Sequence, residues 1–517
     1  MVKKALRASI RPLIILLLAL AAVLFVAVQF KMTKFNDAKI DEILFYLNNG
    51  LAGGQTGSLS DAVWSYLPWA VLLFIILWLP TTAWMRRLLS RALRPLARFV
   101  PRPLKKLGGF TIRKQFLYAV ALCTISCVMI LQSFSIPAYV AALAQSTKLY
   151  EEHYVDPRSV ELTFPEKKRN LIYIYLESVE NTVLSREHGG MNERSVMPEL
   201  ETLARENLNF SHTNSGLGGA LPAHGTTWTV GGMTAQSAGV PLKQTLAGGR
   251  DHNSMSEFNH FLPGAHTLGD ILKANGYNQS FVMGSDAAFG GRDKLLTQHG
   301  DYQLLDFNWA RREGKIPADY KVWWGYEDKR MFEFAKEEAT RLSQLDKPFN
   351  LQLLTVDTHY VDGWMDETCP QDYAHKYDNV HACSSRQVKA FIDWLKQQPF
   401  YDNTTVIITG DHLGMQTDYY TEKIAGQDYQ RTIFNAFLNP ALQPHQSHSR
   451  QFTSFDMYPT TLAAMGVQIK GERLGLGTNL FSGEKTLVER LGGIDQLNQE
   501  LPRRSSFYER QLMTRGK

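Results

Sequence analysis

The sequence predicts a membrane-anchored α/β protein: N-terminal transmembrane helices followed by a domain built on a mostly parallel central sheet. Three uncharged apolar runs fall within the first 136 residues. Beyond residue 166, continuous β-rich runs alternate with helical patterns, which is the signature of a sheet covered on both faces. The charge is also split. Residues 1–114 carry 17 basic and four acidic side chains, whereas residues 115–517 carry 38 and 46. A basic head on a mildly acidic body excludes nucleic acid as the body's partner and places a topology signal in the head.

The first apolar run, 12–30, follows Lys3, Lys4, Arg7 and Arg11. It is longer than the roughly 7–15 residues of a signal-peptide core and lacks a small-x-small cleavage site, so it reads as an uncleaved anchor. The second, 63–85, carries Trp64, Trp69, Trp78 and Trp84 as interfacial aromatics. The third starts at Gln115 and ends near Ile136. Each is close to the roughly 20 residues that a bilayer requires. Between residues 86 and 114 lie ten Lys/Arg and no acid, while the 31–62 loop is mixed. The positive-inside rule therefore puts the N-terminus and the 86–114 loop in the cytoplasm, and three spans carry everything after residue 136 outside. Within 86–106 the charges alternate with Leu88, Leu89, Leu93, Leu96 and Phe99. That stretch either only marks topology or lies as an amphipathic segment on anionic lipid.

The expected organisation is a membrane domain at 1–136, a connector at 137–165, an extracytoplasmic catalytic domain at 166–482 and a charged, peripheral tail at 483–517. In the body, 171–176, 349–356 and 405–409 read as buried parallel strands. Helical patterns stand at 196–206, 267–274, 328–345 and 385–398. Cys369 and Cys383, close together in an oxidising compartment, are expected to form a disulfide; Cys123 and Cys127 fall within the third span.

Chemistry in such sheets sits beyond the carboxyl ends of the strands. The three strands run into Glu177-Ser178, Asp357-Thr358-His359 and Gly410-Asp411-His412. Singly these read as a helix-start acid, a loop histidine and a turn former. Together on one sheet edge they offer the oxygen and nitrogen ligands a divalent cation wants. A Gly-rich loop, 215–225, leads into Thr226-Thr227-Trp228-Thr229. Glycines before a threonine at a helix start let backbone approach a phosphate, though the hydroxyl is a poor nucleophile unless a metal or base activates it.

These residues, with Trp228-Thr-Val-Gly-Gly-Met233, Gly239-Val-Pro-Leu242 and Asp456-Met-Tyr-Pro-Thr-Thr461, resemble the sulfatase-fold phosphoglycerol transferases, which include lipoteichoic acid synthases and the periplasmic glucan enzymes. The resemblance covers about 165–482. It implies an alkaline-phosphatase/sulfatase-like domain in the bacterial inner membrane, facing the periplasm. It also implies one metal ion, often Mn2+, with Mg2+ or Zn2+ as alternatives, held by Glu177, Asp411 and His412. Thr226 matches the catalytic threonine that also touches the metal, with Thr227 one place over. Arg292 matches a substrate-phosphate arginine, and His359 a substrate-site histidine with a part in catalysis. The implied partners are a membrane phospholipid donor, phosphatidylglycerol, and a glycan or glucan acceptor. Phosphoethanolamine transfer and an inactive lipid-binding regulator are the rival readings. Two features depart from the lipoteichoic members: Gly290 stands where they have an aromatic residue, and three spans stand where they have five.

Overall fold

A computed structural model describes residues 2–34, 56–85, 111–243 and 260–514, with isolated positions at 40, 43, 44 and 87. Compact packing divides the described chain into an N-terminal helical unit and a body that begins at Tyr139.

The helical unit contains α1 (Val2–Lys34), α2 (Thr56–Trp78) and α3 (Ile112–Ser133). Their segments Ile10–Thr33, Val63–Thr81 and Ile112–Ser133 are long and apolar enough to cross a membrane. Ile14, Leu18 and Ala119 are buried between helices, while Leu16, Val23, Trp64, Trp69, Ile76, Leu117 and Ile125 point outward. A helix apolar on its outer face needs a lipid environment. The third span begins and ends about three residues earlier than the hydropathy suggests. Arg113 and Lys114 are taken into its first turn, and Ser135, at φ 53°, breaks the chain before a separate short helix, Ile136–Leu143. The expected basic loop lies largely outside the described residues.

The body is centred on six strands: β1 (Asn170–Leu176), β2 (Asn278–Met283), β3 (Gln303–Leu305), β4 (Phe349–Leu354), β5 (Thr404–Gly410) and β6 (Asn435–Leu438). Their order is β3-β2-β4-β1-β5-β6, and every pairing is parallel except β5 with β6. Every residue of β1 is buried. Alternation sends Leu171, Tyr173 and Tyr175 into one core and Ile172, Ile174 and Leu176 into the other. The first core takes α5 (Thr229–Ala238), α6 (Leu268–Ala274) and α10 (Met457–Ala464); the second takes α4 (Pro198–Glu206), α8 (Asp328–Ser343) and α9 (Lys376–Leu395). Between α6 and α8 lies α7 (Arg292–Gln298).

The polar residues that break the apolar pattern of β4 are paired inside the sheet. Asn350 Nδ2 donates to Gln279 Oε1 (2.8 Å) and to the Tyr302 hydroxyl (2.9 Å), which Gln352 Nε2 also reaches at 3.0 Å. Such a network is tolerable in a core because its donors are satisfied. Cys369 and Cys383 are joined, with Cα atoms 5.6 Å apart, and fasten the loop after β4 to α9.

The expectation of a peripheral tail is corrected. Leu487, Val488, Leu497, Leu501, Tyr508 and Leu512 are buried in the first core, and the charged residues between them occupy the surface. This segment also closes on the start of the body: Thr147 N donates to Arg504 O and Arg504 N to Gln145 O, both at 2.9 Å, and the Tyr150 and Tyr508 rings meet edge-on at 5.3 Å.

Candidate metal centre

β1 and β5 are adjacent and parallel, with Leu176 opposite Gly410, so the residues that follow them emerge side by side. Ser178 turns the chain in the left-handed region, at φ 59°. Its N–H donates to Asp411 Oδ1 (2.9 Å) and its hydroxyl to Glu177 Oε1 (2.7 Å). Asp411 Oδ1 also accepts from His412 N at 2.7 Å. That oxygen is saturated, whereas Asp411 Oδ2 is buried without a hydrogen-bond partner. His412 Nδ1 lies 2.7 Å from Leu413 O, so it carries the proton and leaves Nε2 as the ligating nitrogen. Nε2 stands 3.5 Å from Glu177 Oε1 and 3.4 Å from Asp411 Oδ2. One ligand atom from each of Glu177, Asp411 and His412 lies within 4.8 Å of the others, and all three side chains are buried.

The electrostatics agree with a cation site. Burial and the neighbouring Glu177 push Asp411 up to about 7. Burial works on Glu177 in the same sense, but His359 and His412, with hydrogen bonds from Ser178 and Thr229, hold it below the usual carboxylate range. Two buried carboxylates, an imidazole nitrogen beside them and an orphaned carboxylate oxygen fit a divalent ion and otherwise carry an uncompensated desolvation cost.

The threonine at this cluster is Thr229. Its hydroxyl donates to Glu177 Oε2 (3.1 Å) and lies 3.5 Å from His412 Nε2. It is the first residue of α5, preceded by Trp228 in extended conformation. The helix comes this close because it has no side chain at Gly232, where a Cβ would lie 2.1 Å from Asp411 O. Gln236 Nε2 adds bonds to Gly410 O (2.9 Å) and Asp411 O (3.3 Å). Thr226 is placed elsewhere than expected. Its buried hydroxyl and its N–H both turn back to Ala223 O, at 2.9 and 3.2 Å, so it closes the loop before the helix. Thr227 is half-buried in the same loop. The helix starts three residues later than the glycine pattern suggests. The signal that marks it is the Trp-Thr-x-Gly-Gly phrase, whose glycines permit the close approach.

His359 and Arg292 flank the site. Burial lowers the His359 pKa against the opposing pull of Glu177, and the charges of His412 and Arg292 lower it further. Its Nδ1 lies 2.7 Å from Tyr360 O, and its ring packs against Trp324 at 4.7 Å. Arg292 is buried at the start of α7, donating to Phe289 O (3.0 Å) and Asp286 O (2.8 Å), with its guanidinium 5.6 Å from the Phe289 ring centre. Thr358 ties the elements together by donating to Glu177 O at 2.5 Å.

Comparison with known proteins places this arrangement. Residues 169–467 match the family profile described as Sulfatase. Proteins of Escherichia coli named phosphoglycerol transferase I are 32% identical over 349 residues, which is 65% of this chain and 41% of theirs. The chain thus spans less than half the length of these relatives. Among solved structures, a lipoteichoic acid synthase of Listeria monocytogenes aligns with 63% of this chain and 79% of its own at 18% identity (TM-score 0.47). An integral membrane lipooligosaccharide phosphoethanolamine transferase of Neisseria meningitidis aligns with 86% and 83% at 15% identity (TM-score 0.47).

Proposed function

The chain belongs to the sulfatase family, and from that premise we propose that it is a membrane-anchored transferase that moves phosphoglycerol from phosphatidylglycerol to a glycan through Thr229. The observation that carries this reading is the Thr229 hydroxyl seated on the Glu177–His412 pair. The 32% identical relatives named phosphoglycerol transferase support the choice of group.

A divalent cation, Mn2+ or alternatively Mg2+ or Zn2+, held by Glu177, Asp411 and His412 would supply Lewis-acid stabilisation of phosphate charge and ease deprotonation of a nearby hydroxyl. Thr229 Oγ1 attacks the lipid phosphorus; the new Thr229–phosphorus bond forms as the phosphorus–oxygen bond to diacylglycerol breaks, and diacylglycerol leaves with a proton. An acceptor hydroxyl then attacks the same phosphorus, and Thr229 regains its proton as it is released. Arg292 suits the nonbridging phosphate oxygens, since a guanidinium can hold two at once. His359, with Nδ1 committed to Tyr360 O and a lowered pKa, is neutral at neutral pH. It presents Nε2 to accept the acceptor hydroxyl's proton. The positive-inside pattern supports a periplasmic body in a multi-pass inner-membrane protein, on the surface where such donors reside.

The test uses the full chain with Mn2+ and vesicles of phosphatidylglycerol or phosphatidylethanolamine, without acceptor, followed by peptide mass mapping. A phosphoglycerol adduct on the Thr229 peptide, from phosphatidylglycerol only, is expected. An adduct from phosphatidylethanolamine only would reassign the donor, an adduct on Thr226 would restore the alternative nucleophile, and no adduct from either lipid would overturn threonine catalysis.

A further inference from the structure

The segment between α7 and α8 contains a feature that the metal centre does not use. Val322 N donates to Gly325 O (2.7 Å) and Gly325 N to Val322 O (2.9 Å), closing a two-residue turn with Trp323 and Trp324 at its centre. Trp323 sits in the left-handed region, at φ 55°. In such turns the first central position favours glycine, and a bulky side chain there is strained. The turn is nevertheless fixed. Tyr326 N donates to Gly284 O (2.9 Å), and Gly325 pairs with Ser285 just past β2. Strain at so firmly held a position points to a task for the side chains.

Trp324 is half-buried. It lies between Phe289, with centroids 5.2 Å apart, and His359 at 4.7 Å, and His359 in turn stacks on Tyr360 at 4.8 Å. The result is an aromatic wall that starts beside Arg292 and runs to His359 and Tyr360. The indole Nε1 atoms of Trp323 and Trp324 are buried, so what the wall offers a ligand is apolar ring surface rather than hydrogen-bond donors. The flat C–H face of a pyranose matches an indole face, and the wall ends on His359, the residue placed to take the acceptor hydroxyl's proton.

We infer that Trp324 is the stacking platform for a sugar ring of the acceptor, presenting its hydroxyl to the phosphorus on Thr229. The inference rests on the transferase reading for the purpose of the site, but binding to the wall does not require turnover.

The test is therefore an equilibrium measurement on the full chain in detergent, carrying Thr229→Ala and given no phospholipid. Indole fluorescence is titrated with cellopentaose, laminaripentaose and maltopentaose, and with the acyclic polyol sorbitol. At least one pentasaccharide should bind saturably and sorbitol should not. Trp324→Leu, which keeps an apolar side chain but removes the flat face, should weaken binding at least about tenfold, converting to about 1.4 kcal/mol. Trp324→Phe should stay within about threefold, by the same scale. Thermal midpoints of both variants, read alongside, identify any loss that comes from unfolding, and the Phe variant then decides. No saturable binding by any pentasaccharide, equal binding of sorbitol, or unchanged affinity in the Leu variant would each overturn the platform. Failure of the transferase reading would appear instead in the lipid-adduct experiment, which leaves this titration untouched.

Discussion

At the scale of single residues, Thr226 in the loop before α5 and Thr229 at the start of the helix make opposite predictions. On the proposed transferase reading, Thr229→Ala removes the hydroxyl beside the candidate metal site and should lower transfer at least about a thousandfold, because the proposed covalent intermediate forms on it. Thr226→Ala removes a buried hydrogen bond to Ala223 O and should cost about 1 kcal/mol of stability while leaving transfer largely intact. Turnover and chemical denaturation on the same two proteins separate them. The acids and the histidines of the site were legible in the sequence because each ends an apolar run that can only be a buried strand: Glu177 after 171–176, Asp411 and His412 after 405–409. Thr229 was not, because its role is set by how closely a helix packs on a strand end, which no local pattern records.

That packing belongs to the scale of elements. In an exposed helix, Gly→Ala stabilises by about 1 kcal/mol. At Gly232 the sign should reverse, since the new Cβ would stand 2.1 Å from Asp411 O and must push α5 off the site. Gly232→Ala should therefore lower both the melting temperature and the affinity for Mn2+, read by thermal scans with and without metal. A second element carries a pH dependence. Asp456 caps the turn before α10, accepting Thr453 N and Thr478 N, each at 2.8 Å, yet burial pushes it up to about 7. Its folded pKa is raised, so its contribution is fully present below about pH 4 and is lost as pH rises through about 7. Asp456→Asn should flatten the fall in stability between those limits, measured by denaturation at several pH values. The sequence revealed β1, β4 and β5 but not β2, β3 or β6. β2 carries Gln279 and Ser280 in its middle; Gln279 is satisfied by Gly269 O and Gly300 O and Ser280 by Glu338, all remote in sequence. β3 is only three residues long.

At the scale of the whole molecule, the charge of residues 483–517 hid a structural segment. Ending the chain after Ser482 strips Leu487, Leu497, Leu501 and Tyr508 from the first core and should leave the body unfolded or insoluble, judged by expression and proteolysis. Topology is tested separately. A reporter active only outside the cytoplasm should work when fused after Lys517 and be silent after Arg98. The reverse would overturn the charge argument. The contact between Thr147 and the segment around Glu500 joins residues 353 positions apart. At ~5–20 residues per second of synthesis, roughly 20–70 s separate the emergence of the two partners. During that interval Tyr150, already translated, lacks the Tyr508 ring it packs against. The first core is thus completed only once residues 504–508 have been made, and until then Thr147 and Tyr150 lack the partners they meet there.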